Sequence, residues 1–169
     1  MAKIYKRHDW TEINVSASVG RNGVNNKDDV LVVQAMLKYG LEGRTYFKGD
    51  RFPEPNGTMD AATMHLITKY QQYLRRRQGR SISVDGRIDP AKGERAFGRK
   101  GKWTIQTLNA DVLEWYVVFG EKGDNHIHSL CMTYPRVIAA IGGDIPVGGL
   151  GLAPESSPAL VGTLNLALE

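Results

Sequence analysis

The chain has a single cysteine, Cys131, so no internal disulfide can form and no disulfide framework holds the fold together. That suits a reducing compartment. It has no apolar run of the roughly 20 residues that a membrane-crossing helix needs. The N-terminal stretch MAKIYKRHDWTE is charged and lacks the apolar core of a secretory signal. Its glycine clusters lack the Lys-Ser or Lys-Thr ending of a phosphate-binding loop. The expectation is a protein made in the cytoplasm, with no membrane span and no Sec address. An extracellular target would be reached by lysis, through an injection machine, or on an exported partner.

Charge is plentiful but uneven. Residues 1–109 hold 20 Lys/Arg against 11 Asp/Glu, a net +9, and residues 110–169 hold 2 against 7, a net −5. Texture changes at the same place, from charged and helix-patterned to apolar and Gly-rich. Two units are expected, with the acidic part drawn to a basic unit in a salt-dependent way.

The stretch from Gly57 to Pro90 organises the first unit. Met59, Met64, Ile67, Tyr70 and Leu74 recur at helical spacing, and Leu66 and Tyr73 widen the stripe. Asp60 is placed to cap this helix, and Thr63 to bond back to the cap. Arg75, Arg76 and Arg77 fill the last turn, where cations suit the negative end of the helix dipole. Gly79 is a stop signal. Asp85-Gly86 marks a tight turn. An earlier helix is expected from Lys27 to about Tyr39, capped by Asn26 or Asp28 and stopped by Gly40, with Val30, Val33, Met36 and Leu37 on its apolar face.

These residues carry a resemblance. The order Gly57-x-x-Asp60-x-x-Thr63, Ile67, Tyr70-Gln71, then Val84-Asp85-Gly86-Arg87-Ile88-Asp89, Trp103-Thr104 and Leu108-Asn109 resembles the three-helix peptidoglycan-binding domain of bacterial cell-wall hydrolases and phage lysins. Val30, Val33, Gln34 and Leu37 supply the first-helix run of that pattern. The similarity covers residues 19–109. It departs from the pattern at Asp60, where the family often has glycine, in the long connection 39–56, and in the insertion 91–102. The resemblance implies non-catalytic wall recognition, with a shallow groove for stem peptide or glycan. On that reading the ligand-binding residues are Thr63, Gln71, Asp85 and Arg87, with Tyr46 or Phe47 as an aromatic loop platform. Capping and turn-making account for Thr63 and Asp85 equally well.

Elsewhere the expectations come from pattern alone. Residues 1–18 read as a polar lead with one short strand near Ile13 to Val15. Val112 to Phe119, rich in β-formers, reads as a strand, and His126 to Tyr134 as its hairpin partner. Leu160 to Leu168 alternates like a final strand. The fold class is therefore α+β: a small three-helix bundle over 19–109 followed by an antiparallel β-rich extension over 110–169. The extension is expected to dock a protein partner or to self-associate.

The remaining chemistry-bearing residues have structural explanations beside the functional ones. On a strand, His126 and His128 share a face and can share a metal, with Cys131 facing away and no further ligand in sight. Neither a nucleophile's base nor a cleft is legible around Cys131. Arg75 to Arg80 suits a solvated helix end, and no nucleic-acid module surrounds it. No catalytic residue, metal or cofactor is assigned, and peptidoglycan is the expected partner rather than nucleic acid. Two alternatives remain. The first is an adaptor in a phage tail or contractile injection machine, using the helical unit for protein contacts. The second is a hydrolase built around His126, His128 and Cys131.

Overall fold

Helix α1 (Lys27–Leu41) is buried along its whole middle, from Asp29 to Leu37. A helix enclosed on every side sits inside a fold, not on it. The structure is a computed structural model that describes residues 1–7, 10–78, 82–93, 103–118 and 126–143. Around α1 stand α2 (Ala61–Gln78), α3 (Thr104–Val118), α4 (His126–Thr133) and α5 (Arg136–Ala140). Among the described residues, two small antiparallel sheets complete the α+β arrangement. Strand β1 (Lys3–Arg7) pairs with β2 (Trp10–Asn14), Lys3 opposite Asn14. Strand β3 (Val19–Gly20) pairs with β4 (Arg87–Ile88), Val19 opposite Ile88.

Gly40 lies within α1 and does not stop it. Its Cα faces α3, and a β-carbon there would stand 3.4 Å from both the backbone nitrogen and a methyl of Val112. The absent side chain serves close helix packing. The chain leaves α1 one residue later, where Arg44 Nε donates to the Gly40 carbonyl at 2.6 Å and satisfies one of the helix's open acceptors. The Asn26 side chain makes no capping bond. Asp29, one turn inside α1, instead accepts from Ser16 N, Ser16 Oγ and Ala17 N at 2.7–3.1 Å.

Among the described residues the strands lie in the N-terminal and middle parts of the chain, and 110–118 and 126–140 are helical where a β-rich extension was expected. Val112 to Val118 is the second half of α3. Ile105, Leu108, Val112 and Tyr116 fall on one buried stripe, spaced three or four apart, and α3 runs unbroken through Asn109 and Ala110. His126 to Thr133 is α4, with Ile127, Leu130 and Cys131 buried. Burial of a helical stripe outweighed local β-propensity, which depends strongly on context. The N-terminal lead is likewise a hairpin tied into the core through Ala2, Ile13 and Val15. The expected strand at Leu160 to Leu168 and the stop at Gly79 lie outside the described residues.

Asparagines bind the hairpin to its neighbours. Asn109 Oδ1 accepts from Ile13 N, and its Nδ2 donates to the Ile13 carbonyl, both at 2.8 Å. The amide thus takes the place of a third strand along β2. Asn14 does the same for Ala91, accepting from its N at 2.9 Å and donating to its carbonyl at 3.0 Å. No helix among the described residues is long and apolar enough to cross a membrane.

Candidate functional site

Gln34 on α1 and Gln71 on α2 grip two turns in the same way. Gln34 Oε1 accepts from Gly57 N at 2.9 Å, and its Nε2 donates to the Thr58 carbonyl at 2.9 Å. Gln71 Oε1 accepts from Gly86 N at 2.7 Å, and its Nε2 donates to the Arg87 carbonyl at 2.8 Å. Each amide uses its remaining donor on the neighbouring side chain, Thr63 Oγ1 for Gln34 and Asp85 Oδ1 for Gln71, both at 2.9 Å. Gly57 and Gly86 have φ of +80° and +74°, a region that L side chains avoid. A buried glutamine with all its hydrogen-bonding groups engaged therefore defines each turn.

The second turn presents polar groups outward. Asp85 Oδ1 also accepts from Arg87 N at 2.9 Å. Burial pushes the Asp85 carboxyl up, but the bonds from Gln71 and Arg87 outweigh it and hold the group below its ordinary range. The Arg87 guanidinium lies along the Asp89 carboxylate, with Nε 3.0 Å from Oδ1 and Nη2 3.2 Å from Oδ2. Arg21, on the loop after β3, packs beside Gly86, and its backbone N donates to the Gly86 carbonyl at 2.9 Å.

A second polar surface lies around the carboxyl-terminal half of α2. A short 3-10 turn, Thr45–Phe47, lays Tyr46 and Phe47 against Tyr73, with ring centres 5.1 and 5.5 Å away. Cations pack on these rings. Lys69 Nζ and the Arg76 guanidinium stand 5.6 and 5.4 Å from the Tyr46 centre, and Arg77 stands 5.4 Å from that of Tyr73. Arg77 also donates to the Tyr73 hydroxyl at 2.9 Å. Lys69 is compensated by Asp50 at 2.6 Å, and His65 reaches the other Asp50 oxygen at 3.2 Å.

Behind this surface is a buried acid. Asp111 on α3 accepts the Tyr70 hydroxyl at 2.6 Å, and Arg44 and Arg77 lie 3.3 and 3.5 Å from its other oxygen. Burial raises the Asp111 carboxyl above its ordinary range despite Tyr70 and the two arginines. Burial, with Asp111 alongside, pushes the Tyr70 phenol far up. Glu114, nearer solvent, shows the opposite balance. Burial pushes it up, but Arg44 and Arg77 hold it below its ordinary range.

The expected ligand-binding residues do not converge on one spot. Thr63 is 0% exposed and Gln71 1% exposed, and both are occupied in the glutamine grips. Asp85 and Arg87 reach the surface beside Gln71. Tyr46 and the buried Phe47 stand on the other side of α2, since positions 71 and 73 of a helix differ by about 200°. Arg44, Arg76 and Asp111 were not among the expected residues. The signal for Asp111 was a lone acid in register with Leu108 and Val112, visible only when that stretch is read as a helix. The same helical rotation separates His126 from His128 on α4, so the shared face expected of a strand does not exist. Burial pushes the Cys131 thiol up to about 11. Among the described residues no three potential metal ligands cluster. Comparison of the chain with protein-family models, with curated proteins and with solved structures finds no match.

Proposed function

We propose that this chain is a non-catalytic binding module for bacterial cell-wall peptidoglycan that anchors a larger assembly to the wall. The observation behind the reading is the paired glutamine grip. Residues that carry the family resemblance, namely Gln34, Gly57, Thr63, Gln71, Asp85 and Gly86, form one repeated hydrogen-bonded device. That device holds the Asp85–Arg87 turn rigidly at the surface, and pre-organised polar groups lower the cost of ordering on binding. Asp85 and Arg87 are then the ligand contacts at the turn, and Tyr46, on the other side of α2, is a separate aromatic contact. Thr63, Gln71 and Phe47 act by positioning them.

The test is co-sedimentation of the purified chain with intact sacculi at low and high salt, comparing wild type with Arg87→Ala and Tyr46→Ala. Retention that survives high salt and weakens in both variants, at unchanged melting temperature, is the expected result. Retention abolished by salt alone would reduce the interaction to charge attraction by the basic part. Equal retention of all three proteins would remove these residues from the site.

A second reading, an adaptor in an exported or injected assembly, draws on a different observation. Helix α3 ends on Val117 and Val118, 54% and 68% exposed, and α4 exposes Met132 at 63%. Apolar side chains in solvent suit a protein contact. If wild type fails to bind sacculi at either salt, sedimentation analysis of Val117→Asp and Met132→Asp tests this reading through loss of self-association.

A further inference from the structure

We infer that the face formed by Arg76, Tyr46 and Tyr73 is a second ligand subsite that takes a carboxylate of the wall polymer; the inference rests on the peptidoglycan reading above. Four cations lie on aromatic rings in this region, Arg44 on Trp115, Lys69 and Arg76 on Tyr46, and Arg77 on Tyr73, and three are already compensated. Arg44 and Arg77 face Asp111 and Glu114, and Lys69 holds Asp50. Arg76 differs. It is exposed, it rests over Tyr46, and it forms no ion pair among the described residues.

A helix dipole explains cations at this end of α2, but not why this side chain is laid on a ring. Tyr46 is itself fixed from below by Tyr73 and edge-on by Phe47. The ring contact places the guanidinium over Tyr46 with no ion-pair partner among the described residues, and its N–H fork matches the two oxygens of a carboxylate. One uncompensated guanidinium, with Lys69 already neutralised, suits a singly charged group better than a phosphate dianion. In peptidoglycan stripped of attached anionic polymers, the ionised acids are the carboxylates. The phenol ring of Tyr46 then offers contact area to the neighbouring part of the ligand.

This subsite lies on the far side of α2 from the Asp85–Arg87 turn, so the two contacts are separable. The experiment uses the full chain and stripped sacculi, half of them with their carboxylates converted to methylamides. Wild type is expected to bind the amidated wall about tenfold more weakly, the size of one lost charge-assisted contact. Arg76→Gln is expected to show that same loss on the untreated wall and no further loss on the amidated one. Its far-ultraviolet dichroism and melting temperature should match wild type, since Arg76 bonds to no buried group.

Equal binding of wild type to both walls would overturn the carboxylate inference and leave the peptidoglycan reading standing. So would wild-type affinity in Arg76→Gln. A further loss in Arg76→Gln on amidated wall would place the carboxylate contact elsewhere and overturn the assignment. Arg76-dependent retention seen only when phosphate polymers are left attached would replace carboxylate by phosphate. Failure of wild type to bind either wall would remove both the inference and the reading it rests on.

Discussion

Tyr70 on α2 donates its hydroxyl to the carboxylate of Asp111 on α3 across 2.6 Å, inside the fold. This bond ties the two helices beneath the arginine-lined surface. Tyr70→Phe keeps the ring and removes the donor, leaving a buried carboxylate with one partner fewer. We expect a loss of about 1–3 kcal/mol in unfolding free energy, measured by urea denaturation. Asp111→Ala should cost more, because it strands the Tyr70 hydroxyl and removes the carboxylate that faces Arg44 and Arg77.

The acids of this protein respond to pH with two signs. Asp111 is raised in the folded state, so folding holds a proton there that the unfolded chain releases. Its contribution is present at low pH and is lost as pH rises from the ordinary carboxylate range, about 4, toward its raised value. Asp50 is lowered: burial pushes it up, and Lys69 and His65 outweigh that push. Its contribution is present above the ordinary range and is lost as pH falls through it. Relative to Asp111→Asn, wild type should lose stability as pH rises from about 4. Relative to Asp50→Asn it should gain. Denaturation midpoints across this range check both slopes, and slopes of the same sign would contradict the assignment.

The glutamine grips should be costly to break. Gln71→Ala leaves the buried Gly86 N and the part-buried Arg87 carbonyl without this partner, a loss of about 2 kcal/mol or more. Gln34→Ala should behave alike at Gly57 and Thr58. Gly57→Ala adds a β-carbon 2.6 Å from the Lys27 carbonyl oxygen at φ +80°, and should cost about 1–3 kcal/mol. Thermal melts of the three variants, run beside wild type, read these effects directly.

The single thiol gives a simple probe of the packing of α4. Cys131 is buried, and burial pushes it up to about 11. Such a thiol holds on the order of a hundredfold less thiolate than an ordinary one. A disulfide reagent at pH 8 should label it slowly in the native protein and quickly in denaturant. Fast native labelling would mean that α4 does not pack as described.

Much of α1, α2 and the turns between them was legible in the sequence because their signals are local. A stripe at positions 66, 67, 70 and 74 buries only as a helix. Asp60 accepts from the Thr63 backbone at 2.7 Å as a capping residue does, and an Asp-Gly pair makes its turn with its own side chain. Val112 to Val118 shows the limit of local reading. Its β-branched and aromatic residues suit a strand in isolation, and only by extending the pattern back to Ile105 does the helical stripe emerge. The candidate residues divide by burial. Asp85, Arg87 and Tyr46 do reach the surface, whereas Thr63 and Gln71 face inward.

The sequence by itself determined that no internal disulfide holds this fold, that basic charge gathers in residues 1–109, and that a helix capped at Asp60 runs there. Tertiary structure decided the rest. An amide such as Gln34, Gln71 or Asn109 reads as a solvent-facing polar residue until a backbone from elsewhere in the chain arrives to bond with it. An acid such as Asp111 reads as a surface charge until Tyr70 and Arg44 close over it. In each case the deciding partner lies on another element, so the energy of the contact exists only once the helices have packed.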